Sequence, residues 1–107
     1  MGLRINLPTA DLLGISGVLI FRIDDTTVPA TLDAGNIYIL EGTVDYTVTL
    51  PTTVGDGEEI ILKKTGTAPT VTVASTLIEG ITQTIEITNN QPVRLVYVSA
   101  TYGWLVL

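Results

Sequence analysis

The residues able to do chemistry in this chain are few, and nearly all are acidic. The densest group is Asp56, Glu58 and Glu59 in "GDGEE", and the next is Asp24 and Asp25 in "RIDDTT". A calcium loop needs about six to eight oxygen ligands, and the EF-hand spacing of alternate acids with a distant glutamate is missing. A glycosidase needs two carboxylates facing each other across a cleft, about 5 to 9.5 Å apart, which neighbours on one turn do not achieve. "GDGEE" is therefore read as a corner between two strands, with Gly55 and Gly57 at positive φ and Asp56 hydrogen-bonding within the turn. Asp24 and Asp25 are read as a strand end in water. The chain has no histidine and no cysteine, which removes the commonest general base, thiolate metal sites and a cysteine nucleophile. Tyr46, Tyr97, Tyr102 and Trp104 could stack on sugars, but a carbohydrate platform needs several coplanar exposed rings. Trp104 instead reads as an anchor of the core or of a subunit contact. The expectation is a protein without catalysis, metal or cofactor.

The elements that must position these residues belong to a chain of 107 residues, long enough for one domain and one core. The chain is 46% hydrophobic with a mean hydropathy of +0.48, yet its pI is about 4.2 and its net charge −6. Its five Lys and Arg residues are scattered, which argues against nucleic acid as a partner. Lys63 and Lys64 are adjacent and point to opposite faces if they lie in a strand. No apolar run approaches the roughly 18 residues of a membrane span; "GVLIF" from Gly17 ends at Arg22 and Asp24. The first residues, "MGLRINLPTADLLG", lack the order of a secretory signal and carry Asn6 where myristoylation wants Ser or Thr. Synthesis in a cytoplasm is expected, with no membrane partner.

Period-two alternation rich in threonine and β-branched residues, with Gly, Asn, Pro and Asp at short intervals, predicts an all-β fold. Strands are expected at Gly17 to Ile23, Ile37 to Leu40, Asp45 to Leu50, Glu59 to Lys64, Thr70 to Ala74, Thr84 to Thr88, Val93 to Ser99 and Trp104 to Leu107. Strands this short and close suggest a small antiparallel β-sandwich or jelly-roll-like barrel. Only "PTADLLG", Pro8 to Gly14, looks helical, for a turn or two, with Thr9 as N-cap and Gly14 as stop. Residues 1–36 have longer connections and weaker alternation, and read as an N-terminal arm plus a first strand. Residues 37–107 read as the β-sandwich module.

Two strands are apolar on both faces. In "VRLVYVSA" Val93, Leu95 and Tyr97 share one face and Val96 and Val98 the other, while "WLVL" is apolar throughout. A small sandwich has one interior, so the surplus face calls for another copy of the chain. The expected interface residues are Val96, Val98, Trp104, Leu105 and Leu107.

The order "YTVTLPTTVGDGEEIILKKTGTAPTVTVAS", "LIEGITQTIEI", "PVRLVYVSATYGWLVL" resembles the β-rich modules of bacteriophage virion proteins: tail fibres, head fibres and capsid decoration proteins. The resemblance covers Asp45 to Leu107, and its motifs are specific as an ordered set rather than singly. Such modules often close with "SDG" before the tryptophan, where this chain has "ATYG". The resemblance implies a homotrimer of β domains with neither catalysis nor cofactor. The chain is too short for a complete tail fibre, so the expected role is a trimeric capsid decoration, or cement, protein. It would be made in the host cytoplasm and carried on the virion, with the major capsid protein as partner. Leu3, Ile5, Leu7, Leu12 and Leu13 of the arm would make the capsid-docking contacts. The alternative is a receptor-binding or fibre-tip module that recognises a host-surface glycan through "TGTAP" and "SATYGW".

Overall fold

A computed structural model describes residues 10–13, 18–66 and 69–107. Among them are nine strands and no helix: β1 (Ala10–Leu13), β2 (Val18–Ile23), β3 (Ile37–Leu40), β4 (Tyr46–Thr49), β5 (Glu59–Lys64), β6 (Val71–Ala74), β7 (Thr84–Ile87), β8 (Val93–Ser99) and β9 (Gly103–Val106). The alternating residues form strands because one side of each packs inward. β5 alternates half-buried and buried residues along its whole length, and β3 does the same. Lys63 and Lys64 accordingly diverge, and Lys64, at the inward end of β5, is only 4% exposed.

The helical reading of "PTADLLG" is corrected. Ala10–Leu13 is a strand, paired antiparallel with β2 in the register Ala10 to Phe21 and Leu13 to Val18. A single helical turn is costly to nucleate, whereas an edge position on a preformed β2 supplies hydrogen bonds residue by residue. The local helix signals lose to that long-range pairing.

The antiparallel expectation is corrected as well, because both sheets are mixed. One has the order β1-β2-β3-β5-β8-β9 and the other β4-β6-β7. β2 with β3, β3 with β5, and β4 with β6 are parallel, while β5–β8, β8–β9 and β6–β7 are antiparallel. Parallel neighbours require a crossover, and here the crossover is a strand of the other sheet. From β3 the chain passes through β4 before returning to β5, and from β4 it passes through β5 before reaching β6. Between β2 and β3 it again visits the second sheet, where the Leu32 amide donates to the Thr49 carbonyl at 2.8 Å. The central chain is thus a coil through two sheets, closed by the antiparallel strands β7 to β9.

The core lies between the sheets. Tyr38, Leu40, Ile60, Leu62, Leu95 and Trp104 enter from the larger sheet, and Val48, Val71, Val73 and Ile87 from the smaller. Leu32, from the connection after β2, is fully buried with them. β2 and Leu32 both come from residues 1–36, so the described part of that segment is joined by hydrogen bonds and burial to the rest.

The connection between β6 and β7 docks on the start of β9. Ile78 is buried and bridges Trp104, and the Glu79 and Gly80 amides donate to the Trp104 and Tyr102 carbonyls, each at 2.8 Å. This approach needs Gly103, which has φ +77; a Cβ built there would lie 2.2 Å from the Leu77 carbonyl oxygen.

Candidate functional site

The carboxylates named in the sequence turn out to be turn builders. In "GDGEE" the Glu58 carboxylate accepts from the Gly55 amide at 2.7 Å, and the Glu58 amide donates to the Gly55 carbonyl at 3.1 Å. The expectation is corrected in two details: Glu58 rather than Asp56 supplies the side-chain acceptor, and of the two glycines only Gly57 has positive φ. A longer glutamate reaches back three residues more readily than an aspartate reaches across two. The corner is held to β8, since the Gly57 amide donates to the Tyr97 carbonyl at 2.7 Å.

Asp24 forms a similar knot after β2. Its Oδ1 accepts from the Thr26 amide at 2.9 Å and from the Thr26 and Thr27 hydroxyls at 2.7 and 3.1 Å. Bonds to the Thr26 hydroxyl and amide favour the charged form and hold the Asp24 carboxyl below its ordinary range. Asp25 accepts from the Thr43 amide at 3.2 Å, and Asp45 from the Thr70 amide at 3.0 Å. Nearby Tyr46, half-buried, has its hydroxyl pushed up to about 12 by burial and then by the charges of Asp24 and Asp25. Among the described residues no three Asp or Glu side chains converge as a metal cluster would.

Outside the core, apolar side chains also line part of the outer face of the six-stranded sheet. Pairing sets Ile20 beside Ile37 and Ile37 beside Ile61, so one isoleucine row crosses β2, β3 and β5. Ile39 follows two residues along β3. On β8 and β9, Val96 stands opposite Leu105. All six are only half-buried and none belongs to the core, because their strand neighbours Tyr38, Leu40, Ile60, Leu62, Leu95 and Trp104 take the inward positions. Side chains adjacent in a sheet share a face, but between β5 and β8 the paired residues are Ile61 with Arg94 and Glu59 with Val96, so the Arg94–Glu59 ion pair parts the isoleucine row from the Val96–Leu105 pair.

Charge is sorted by the same geometry. Arg22, Lys63 and Arg94 lie on this sheet with Glu41 and Glu59 beside them. Arg22 Nη2 donates to Glu41 Oε2 at 3.0 Å, and Arg94 Nε and Nη2 donate to the two Glu59 oxygens at 2.9 and 3.0 Å. The Arg94 guanidinium holds the Glu59 carboxyl below its ordinary range, and Glu59 in turn raises Arg94. The Lys63 amine donates to the Asn90 carbonyl. Asp11 lies in β1 of the same sheet, opposite Ile20, and the other described carboxylates, at Asp24, Asp25, Asp33, Asp45, Asp56, Glu58, Glu79 and Glu86, sit on loops or on the smaller sheet. The remaining described base, Lys64, is buried. The isoleucine row on this face is thus bounded by charge, with Asp11 at its β1 end, Arg94 at its β8 end, and Arg22 and Lys63 on either side of Ile39.

The interface residues expected from sequence fall in three places. Val96 and Leu105 lie on the outer face. Val98 and Leu107 are 41% and 59% exposed, beside a bulge in the β8–β9 ladder and at the chain end. Trp104 is 1% exposed and packs edge-to-face on Tyr97 at 5.4 Å, within the core. Of the docking residues, Leu12 and Leu13 lie in β1 opposite Leu19 and Val18, and Leu3, Ile5 and Leu7 lie outside the described residues. Sequence reasoning missed Ile20, Ile37, Ile39 and Ile61. The signal was present: "IYIL" and "EIILKK" are apolar at consecutive positions, as "VRLVYVSA" is.

A cleft of about 220 Å³ opens beside the β9 turn, lined by Thr52, Ser75, Thr76, Leu77, Tyr97 and Trp104 among others. It is smaller than the roughly 300 to 1,000 Å³ of a drug-sized ligand site. No protein-family model matches the chain, and no curated protein shows a significant match to it.

Proposed function

We propose that the protein is a non-catalytic structural component of a bacteriophage virion, a small β-sandwich that assembles as a homotrimer and decorates the capsid as a cement protein. The observation that carries this reading is the row of half-buried isoleucines, Ile20, Ile37 and Ile61, on the outer face of the six-stranded sheet. Apolar side chains grouped on a surface suit association with further copies of the chain or with a larger assembly. The resemblance of Asp45 to Leu107 to virion β modules supports the same reading, and those residues hold β4 to β9.

The mechanism is passive. The trimer contacts the major capsid protein through Leu3, Ile5, Leu7, Leu12 and Leu13. Because it binds the assembled lattice and not free subunits, occupancy stabilises the lattice, by about 2.7 kcal/mol per site at a hundredfold excess over Kd. The acidic remainder of the surface faces solvent and keeps particles apart. Electron microscopy of purified particles tests this. Density at repeated positions of the head lattice, lost in particles made without the protein, is the expected result. Particles that never contain the protein, or that carry it at fibre tips alone, refute the cement role.

A second reading, a fibre-tip module for a host-surface glycan, is favoured by the cleft beside the β9 turn, whose lining includes the hydroxyl-bearing Thr52, Ser75 and Thr76 that could bond a sugar. Specific binding on a glycan array, abolished by Thr76→Trp in the cleft, supports that reading over the first.

A further inference from the structure

The structure assigns Asp56–Gly57, in the corner before β5, as a site of spontaneous backbone modification, and the bond from the Gly57 amide to the Tyr97 carbonyl as the latch that withholds the reaction in the folded domain. The chemistry is attack of a main-chain nitrogen on the preceding side chain. The Gly57 nitrogen adds to Cγ of Asp56 in its carboxylic acid form, the bond from Cγ to the hydroxyl breaks, and the hydroxyl leaves with the amide proton as water. Water then opens the cyclic imide so formed. Opening at Cγ restores aspartate, whereas opening at the original peptide carbonyl leaves an isoaspartyl linkage, with the main chain routed through Cβ and Cγ. The two steps require no oxidant, no metal and no partner beyond water.

Sequence and geometry both single out this position. A glycine after the acid leaves the attacking nitrogen unhindered, and no asparagine of the chain precedes a glycine. Every other described aspartate precedes a residue with a side chain, and those at Asp24, Asp25 and Asp45 have their carboxylates bonded to the amides of Thr26, Thr43 and Thr70. Asp56 is exposed, and the side-chain acceptor that closes its turn is Glu58 instead. Nothing lies within 4 Å of a Cβ built at Gly57, so there is open space beside the reacting pair. What opposes reaction is β8. The Gly57 amide donates to the Tyr97 carbonyl at 2.7 Å, and the Tyr97 amide donates to the Glu58 carbonyl at 2.8 Å, so two bonds clasp the corner. Attack requires the Gly57 nitrogen to leave that carbonyl and turn toward Asp56, so only a corner opened from β8 reacts. Once formed, the imide nitrogen has no proton to return to Tyr97, and the isoaspartyl chain carries an extra backbone carbon through the corner. Conversion therefore unfastens the corner at Tyr97, a residue that also lines the cleft beside β9.

Peptide mapping that separates isoaspartyl from aspartyl isomers tests the assignment, on the full chain and on a synthetic peptide of residues 53–60 held together at neutral pH and physiological temperature. Asp56 should convert in the peptide and at least about tenfold more slowly in the folded chain, because reaction waits on local opening. In urea above the unfolding transition the chain should match the peptide in the same solvent. A smaller suppression in the folded chain overturns the latch, and isoaspartate that accumulates faster at another residue of the unfolded chain overturns the site. Amide exchange followed by NMR separates the latch from general stiffness of the turn. The Gly57 amide should be protected in the folded chain, and free exchange there beside a suppressed reaction also overturns the latch. Asp56→Asn supplies a second readout, since ammonia then leaves in place of water and each conversion changes the mass. The folded variant should lag the peptide carrying the same substitution by at least about tenfold as well, and equal rates refute the protection.

Discussion

Replacing Gly103 with alanine tests how the β6–β7 connection is held against β9, and the structure sets the size of the effect. Gly103 has φ +77, and an added Cβ would stand 2.2 Å from the Leu77 carbonyl oxygen and 2.6 Å from its carbonyl carbon and Cβ. Ordinary contact begins near 3.4 Å, so the Leu77 backbone must retreat by more than an ångström. That retreat breaks the bond from the Trp104 amide to the Leu77 carbonyl, now 3.2 Å, and loosens Ile78, which is buried against the same strand. The left-handed backbone costs about 1–2 kcal/mol for an L-residue. The lost hydrogen bond adds about 1 kcal/mol and the forced shift about 1–2 kcal/mol more. The sum is about 4 kcal/mol, a fall in Tm of about 15–20 °C for a domain of this length. Gly35→Ala is the control: φ is +86 there, but nothing lies within 4 Å of the new Cβ, so only the conformational cost remains. It should lower Tm by about 5–10 °C. Differential scanning calorimetry of both variants reads the comparison. If Gly103→Ala costs no more than Gly35→Ala, the close packing of residues 77–80 on β9 is wrong, and so is the account of the cleft that Leu77 and Gly103 line.

Asp56→Asn combined with Glu58→Gln should fold normally and melt within about 1 kcal/mol of wild type, since glutamine keeps an acceptor for the Gly55 amide; calcium that raises the wild-type Tm but not the variant's would make the turn a metal site. Because the Tyr46 hydroxyl is raised from 10.0 to about 12 in the folded protein, the fold favours its protonated form, and that contribution is intact below pH 10 and lost as pH rises toward about 12. Urea midpoints of Tyr46→Phe should therefore fall less steeply than wild type above pH 10, and parallel slopes would refute the assignment. Deleting Met1 to Leu13 removes β1, an edge strand paired only with β2, so the remaining sheet should stay folded by circular dichroism and still associate, yet no longer bind particles that lack the native protein. Full occupancy by the truncated chain would place the capsid contacts elsewhere.

Much of the local structure was legible from residue order. Alternation of β-branched and polar residues located β2 to β9 to within a residue or two, because in a strand the side-chain period is two and the inward set must be apolar wherever a core exists. The divergence of Lys63 and Lys64 follows from the same period. The acidic corner was legible as a turn, since its glycines interrupt the strands, though which carboxylate would close it depended on reach in three dimensions. Tertiary structure alone decided the rest. "ADLL" is a strand only because β2 offers it an edge, a partner that nothing in those four residues encodes. Alternation likewise says that a strand has two faces without naming its neighbours. That β3 runs parallel to both β2 and β5, with β4 threading between, is a property of how the chain returns, and it brings Ile20, Ile37 and Ile61 into one row from positions far apart in sequence. Each isoleucine by itself reads as a core residue of a short strand. Only when the sheet aligns them, with Tyr38, Ile60 and Leu62 already filling the interior, does the row become a half-buried stripe on the outer face.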